Sequence, residues 1–254
     1  MQWTTIKPIS KVRTDLPTTL ADIESHMPAN HQYRSNRKVT WAHETTHGLN
    51  SRIRGGVIEL ARENDEIIPM KIEASNDVNA CYVLQDRAII LGEPDTKLSM
   101  IATNTPQSLR GMSFELYLKS QQRYWENEPL YVLDEWSAYT NGLSTALDTD
   151  GGDGQYSDAL QSLEFMGYSL VLLQIHNPEE ELRDFVKWQT VRTIALYNKS
   201  KNTSLHSNKQ ESYINSLLTS NDTADLRSAI SNICGSNWLE NTINGVDEDN
   251  LGLF

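Results

Sequence analysis

The sequence has little cysteine, few aromatic side chains and no long apolar run. Among its 254 residues there are two cysteines, Cys81 and Cys234, which form neither a CxxC pair nor a zinc-knuckle spacing. A disulfide scaffold and a cysteine-based metal centre are therefore not indicated. The longest apolar runs, such as Ala88-Ile89-Ile90-Leu91, have the length of a strand, so we expect no membrane span.

Basic residues are also scarce. The chain carries 22 Lys and Arg against 34 Asp and Glu, a net charge of −12, and most of the acidic excess lies after residue 100. A protein that binds nucleic acid by neutralising phosphates needs a basic surface, so we expect no nucleic-acid partner. The acidic C-terminal helices are instead a candidate surface for a protein partner.

The first ten residues contain no apolar signal core and no cleavage site. We therefore expect a soluble protein without a signal peptide, either cytosolic or exported by a non-classical route. The compartment itself is not determined by these features.

The hydrophobic pattern predicts an α+β fold that is mainly helical. Apolar residues at steps of three and four predict a helix over 37–54, and a shorter helix is expected over Thr19–Ser25. Strand-like runs occupy 67–72, 80–84 and 87–91, and the last two form a predicted hairpin. Residues 94–112 are expected to be a loop, and further helices are predicted over 113–126, 129–147, 156–176, 179–198, 209–219 and 223–240.

A Gly- and Asp-rich stretch, Asp148–Gly154, is typical of a linker. It divides the chain into a predicted catalytic region, residues 1–150, and an acidic helical region, residues 151–254, that packs on it. The stretch lacks the twelve-residue spacing and the closing Glu of an EF-hand, so a plain loop is favoured over a calcium site.

The predicted helix 37–54 contains the pattern HExxH, at His43-Glu44-Thr45-Thr46-His47. Residues four apart lie on one face of a helix, so the two imidazoles are able to converge on one metal ion. Glu44 points to an adjacent angle, from which it reaches a water bound to that ion and takes its proton. The alternative is a chance occurrence, in which the histidines are ordinary core or surface residues.

The residues around this pattern resemble the extended signature of the zincins, which are zinc metallopeptidases. That signature has Thr or Val three residues before the first His, uncharged residues between the histidines, and an apolar residue two positions after the second His. This chain has Thr40, then Thr45 and Thr46, then Leu49. The resemblance implies one catalytic Zn²⁺, a small sheet beside the metal helix, and peptide hydrolysis.

A catalytic zinc site also needs a third protein ligand. The metzincin pattern HExxHxxGxxH is excluded because Asn50 and Ile53 occupy its last two fixed positions. The gluzincins take a Glu from a second, downstream helix, and Glu135 in the predicted helix 129–147 resembles that residue. Because this helix is apolar nearly all round, a carboxylate in it must be paired or bound to metal. The alternatives are Asp134, Glu126, Glu128, Glu59, Glu63 and Glu73.

Tyr139 and Tyr131 lie one helical turn either side of Glu135. In many zincins a tyrosine or histidine stabilises the tetrahedral oxyanion, so either hydroxyl is a candidate for that role, with Tyr139 preferred. The alternative is that both rings simply pack between helices. His26 and His176 are weaker candidates, and Asp134 is a candidate for orienting a ligand histidine.

Zincins commonly bind a peptide as an added strand at the edge of a sheet. The resemblance therefore makes the hairpin strands, Cys81–Leu84 or Arg87–Leu91, the candidate substrate edge. In the zincins this strand usually precedes the metal helix, whereas the strands predicted here follow it.

These features together predict a gluzincin-like zinc metallopeptidase acting on a protein or peptide substrate. The predicted ligands are His43, His47 and Glu135, with Glu44 as general base and Tyr139 as oxyanion stabiliser. The alternative is a non-catalytic protein in which the metal stabilises a structural or partner-binding domain.

Overall fold

A computed structural model describes residues 1–55, 58–63, 66–70, 78–149, 156–176 and 178–245. Within these ranges the chain is mainly helical and carries two small antiparallel sheets, which confirms the predicted α+β, mainly helical class. None of the described helices is both long enough and apolar enough to cross a membrane.

The helices are numbered in chain order, with the strands numbered separately. The helices are α1 (Thr18–Ser25), α2 (Lys38–Arg54), α3 (Leu98–Asn104), α4 (Gln122–Trp125), α5 (Tyr131–Asp148), α6 (Tyr156–Ile175), α7 (Glu180–Ser200), α8 (Asn208–Thr219), α9 (Ala224–Cys234) and α10 (Trp238–Gly245). The strands are β1 (Thr4–Thr5), β2 (Ile58–Glu63), β3 (Glu66–Met70), β4 (Val78–Tyr82) and β5 (Arg87–Gly92).

The larger sheet has the strand order β1-β5-β4, with all pairs antiparallel. The predicted hairpin is confirmed as β4–β5. Its turn uses three successive residues with positive φ, Leu84, Gln85 and Asp86, at 74°, 55° and 60°. Non-glycine residues rarely adopt this conformation, so the surrounding structure must hold the turn in place.

Helix α2 forms because its apolar residues recur on one face. Val39, Ala42, Leu49 and Ile53 are all buried, as the spacing predicts. Ala42, Leu49 and Ile53 join a core that also contains Leu20 and Ile23 of α1, Ala80 and Tyr82 of β4, and Ile6 from the N-terminal segment. This core supports the helix that carries HExxH.

Two buried contacts attach α1 to its neighbours. The indole N–H of Trp41 donates to the carboxylate of Glu24 at 2.6 Å, and Glu24 is 6% exposed. At the other end of α1, the backbone N–H of Thr19 donates to the Asp148 carboxylate at 2.7 Å. The Asp148 carboxylate thereby caps the N-terminus of α1, where the N-cap residue makes no side-chain capping hydrogen bond.

Three parts of the secondary structure differ from the sequence expectations. Residues 94–112 are not all loop, because α3 and a 3₁₀ turn at Gln107–Leu109 lie there. The predicted helix 113–126 is a π-helix, Phe114–Ser120, followed by α4. The predicted helix 223–240 is two helices, since Gly235 at φ 108° ends α9.

Contacts between residues group the chain into two units. The N-terminal unit comprises Gln2–Glu93 and Leu133–Gln155, and the C-terminal unit comprises Met1, Pro94–Val132 and Tyr156–Phe254. The boundary expected at residue 150 places 94–132 with the N-terminal region, whereas the contacts group it with the C-terminal helices. Both HExxH and Glu135 belong to the N-terminal unit.

Candidate metal centre

Helix α2 aligns the two histidines of HExxH one turn apart. Nε2 of His43 lies 3.1 Å from Nε2 of His47, and their rings are nearly perpendicular at a centroid distance of 4.7 Å. Two ligands bound about 2.05 Å from one tetrahedral ion are about 3.3 Å apart. The two nitrogens are therefore separated as two ligands of one ion are.

Helix α5 brings a carboxylate to the same place. Oε2 of Glu135 lies 3.8 Å from Nε2 of His43 and 3.5 Å from Nε2 of His47. One ligand atom from each of the three residues falls within 4.8 Å of the other two, so the group could hold a metal ion. The side chains of His43 and His47 keep 13% and 23% of their surface exposed, which leaves one side of the group open to solvent.

The other candidates for third ligand have different positions. Asp134 contacts the outer side of His47, and Glu126 accepts hydrogen bonds from the backbone and hydroxyl of Ser99. Glu128 belongs to the C-terminal unit, as Glu126 does. The side chains of Glu59, Glu63 and Glu73 lie outside the described residues.

Asp134 fixes the orientation of His47. Nδ1 of His47 donates to Oδ1 of Asp134 at 3.0 Å, so Nε2 is the nitrogen that faces the centre. Burial alone lowers the pKa of His47, but the charge of Asp134, its hydrogen bond and Glu135 raise it well above the ordinary value. Burial likewise raises the pKa of Asp134, and the charge and hydrogen bond of His47 lower it overall.

The pKa of His43 shifts in the opposite direction from that of His47. Burial, together with the positive charge of His47, lowers the pKa of His43 to about 3. This imidazole is therefore neutral at physiological pH, which is the form that binds a metal ion.

Glu44 is exposed and does not belong to the group of three converging ligand atoms. Its charge acts on Tyr33, whose pKa is raised by partial burial and by the Glu44 carboxylate. Tyr33 therefore lies near the predicted general base. No sequence pattern indicated Tyr33, because it precedes α2 in a segment without periodicity.

The two tyrosines of α5 have different surroundings. The Tyr139 ring packs against His43 at a centroid distance of 4.3 Å and is 8% exposed. Tyr131 stacks on Trp125 at 4.1 Å with its plane inclined by only 5°, which is the packing role considered as its alternative. The oxyanion role of Tyr139 stays a prediction.

His26, one of the weaker candidates, lies in a separate buried cluster. Its Nδ1 contacts the backbone oxygen of Asp22 at 2.8 Å, and its Nε2 contacts the backbone oxygen of Ile6 and Oδ1 of Asp86, each at 2.9 Å. The Tyr82 hydroxyl donates to Asp22 at 3.0 Å. His176 follows α6 in the C-terminal unit.

The expected substrate edge requires a correction. Strand β5 lies between β4 and the two-residue β1, which pairs with Arg87 and Ala88, so this end of Arg87–Leu91 is not an edge. Strand β4 is an edge, but at Tyr82 its N–H donates to Oδ1 of Asn50 at 2.7 Å and its carbonyl accepts from Asn141 at 3.1 Å. These two backbone groups are not available to an added strand. Sequence reasoning missed both asparagines, because their partners are distant in the chain.

Comparisons of the chain with family models, with curated proteins and with solved structures gave no match. The geometry of the site is therefore the basis on which a function is proposed.

Proposed function

We propose that this protein is a zinc-dependent metallopeptidase of gluzincin type, with His43, His47 and Glu135 as the metal ligands. The observation that carries the proposal is the convergence of the two imidazole Nε2 atoms, 3.1 Å apart, with the Glu135 carboxylate at 3.5 and 3.8 Å. Two neutral nitrogens and one carboxylate are the His₂Glu set of catalytic zinc sites. Calcium and magnesium prefer all-oxygen sites, which disfavours them here.

The arrangement also suits catalysis better than a closed structural site. Structural zinc sites have four protein ligands, whereas catalytic ones have three and an open position. The group has three converging residues and partly exposed histidines. When bound, zinc polarises a peptide carbonyl and lowers the pKa of water to about 7.

The protein residues then perform the proton transfers. Glu44, adjacent to His43 in the chain and exposed, accepts a proton from the attacking water and delivers it to the leaving amine. Asp134 holds the Nδ1 proton of His47, so that Nε2 stays available as a ligand. Tyr139, packed on His43, keeps that ring in position and is the candidate oxyanion donor.

The test measures metal content and cleavage on the same preparation. Elemental analysis should find about one zinc per chain, and the protein should cleave casein, an unstructured substrate. Chelator should abolish the cleavage, and added zinc should restore it. Bound zinc without cleavage, with a melting temperature that falls sharply in chelator, would instead support the structural role. Absence of bound metal would contradict both.

A further inference from the structure

Asn50 lies at the centre of a buried hydrogen-bond network beside the candidate metal centre. Its side chain is fully buried, and its hydrogen bonds connect α2 with α5 and with β4. The amide nitrogen donates to Oδ1 of Asp134 at 2.6 Å and to the Ser137 hydroxyl at 2.9 Å, both on α5. The amide oxygen accepts from the Tyr82 backbone N–H on β4 at 2.7 Å.

These contacts determine which way the Asn50 amide points. A backbone N–H only donates and a carboxylate only accepts, so the oxygen must face Tyr82 and the nitrogen must face Asp134. The same Oδ1 atom of Asp134 accepts from Nδ1 of His47 at 3.0 Å. Asn50 and His47 are therefore both donors to one carboxylate oxygen, and they hold it between them.

We propose that Asn50 is a positioning residue for the metal centre, which acts by fixing Asp134 and, through it, the ring of His47. This inference rests on the proposed function for the identity of the ligands. It adds that β4 serves as a support for the metal helix rather than as a docking edge at Tyr82.

The chemistry explains why an amide is needed at this position. Asp134 is buried, and an ionised buried carboxylate needs donors on its oxygens. His47 supplies one donor, and Asn50 supplies a second without adding a charge. A carboxylate at position 50 would face Asp134 across 2.6 Å and repel it, while still accepting from Tyr82.

Asn141 offers a matched control. It is also fully buried, and its amide nitrogen donates to the Tyr82 carbonyl at 3.1 Å and to the Thr46 hydroxyl at 3.2 Å. Asn50→Asp and Asn141→Asp are thus the same change at two buried amides that contact the same residue of β4. The first places its new charge against Asp134.

The experiment measures zinc affinity by competition with a chelator, and stability by urea unfolding of the metal-free proteins. Asn50→Asp should weaken zinc binding about 10–100-fold, the usual loss for a partner of a ligand. The zinc affinity of Asn141→Asp should stay within about threefold of the wild-type value, even if its free energy of unfolding falls as much as that of Asn50→Asp. The exchange variant Asn50→Asp/Asp134→Asn again pairs one amide with one carboxylate, so it should recover part of the lost affinity.

Two outcomes would overturn the inference. One is an unchanged zinc affinity in folded Asn50→Asp, and the other is an equal loss in Asn141→Asp. If Asn50→Asp does not fold, Asn50→Ala, which removes both the donor and the acceptor without adding a charge, replaces it with the same expectations. If the wild type itself binds no zinc, the proposed function fails rather than this inference alone.

Discussion

Among the described residues, the N-terminal unit contains two partly buried groups of histidine and carboxylate. One is His43, His47 and Glu135, and the other is His26, Asp22 and Asp86. Each brings ligand atoms from three residues within 4.8 Å of one another. The difference between them lies in what faces the ring nitrogens.

Both nitrogens of His26 face backbone carbonyl oxygens, at 2.8 and 2.9 Å. A carbonyl oxygen only accepts, so a ring N–H directed at either carbonyl occupies the position that a metal ion would need. In the other group, the Nε2 atoms of His43 and His47 face each other and the Glu135 carboxylate, and Nδ1 of His47 contacts the Asp134 carboxylate. What the ring nitrogens face therefore distinguishes the His26 cluster from the candidate metal centre.

The largest expected effect tests this distinction directly. His43→Gln should reduce bound zinc from about one per chain to an undetectable level, because the ion loses one of three ligands. The same change at His26 should leave the zinc content at about one per chain. Elemental analysis after dialysis measures both variants. Loss of zinc in His26→Gln alone would reverse the assignment of the two groups.

The second prediction separates binding from chemistry within the candidate centre. Glu44→Gln keeps the shape of the side chain but removes its basicity, so kcat for casein cleavage should fall about 10²–10⁴-fold. Zinc content should stay at about one per chain. A Glu44→Gln variant without zinc would show that Glu44 is a ligand, which would contradict the proposed mechanism.

The third prediction compares two adjacent residues of α5. Glu135→Ala removes a ligand, whereas Asp134→Ala removes the partner of a ligand. We expect Asp134→Ala to weaken zinc binding about 10–100-fold and Glu135→Ala to weaken it much more. Chelator competition measures both. If Asp134→Ala releases the zinc while Glu135→Ala retains it, the third ligand has been assigned to the wrong residue.

The smallest effect concerns the cluster around His26. Glutamine has only one amide group to offer to carbonyl oxygens on opposite sides of the ring, so His26→Gln should leave the Ile6 or Asp22 carbonyl without its donor. The expected cost is about 1–3 kcal/mol in the free energy of unfolding. Urea unfolding of the metal-free protein measures it. A variant as stable as the wild type would show that this cluster does not hold the N-terminal segment.

The spacing of residues within one helix was enough to predict the buried face of α2 and the position of its two histidines. The apolar steps in α2 and the i, i+4 histidines follow from helix geometry alone, and both are present as expected. Glu135 was predicted from the apolar surroundings of its helix, which imply burial. The same surroundings apply to Asp134, so the choice between these two carboxylates as third ligand stayed open.

The residues that sequence reasoning missed act over long distances. Asn50 contacts Tyr82 and Asp134 across 32 and 84 positions of the chain, and neither contact has a sequence signature. Helix α3 was missed because Pro94 and Pro106 on either side indicated a loop. The break at Gly235 was visible as a glycine, but a glycine alone does not distinguish a helix end from a tolerated interior residue.

The separation between His47 and Asp134 also affects how the protein is made. The two residues are 87 positions apart in the chain. Thr19 and its hydrogen-bond partner Asp148 are further apart, at 129 positions. At ribosomal rates of about 5–20 residues per second, His47 leaves the peptidyl-transferase centre roughly 4–17 seconds before its partner. During that interval the nascent chain has both histidines of HExxH and no Glu135. The three side chains that could hold a metal ion are therefore first present together once residue 135 has been added to the chain.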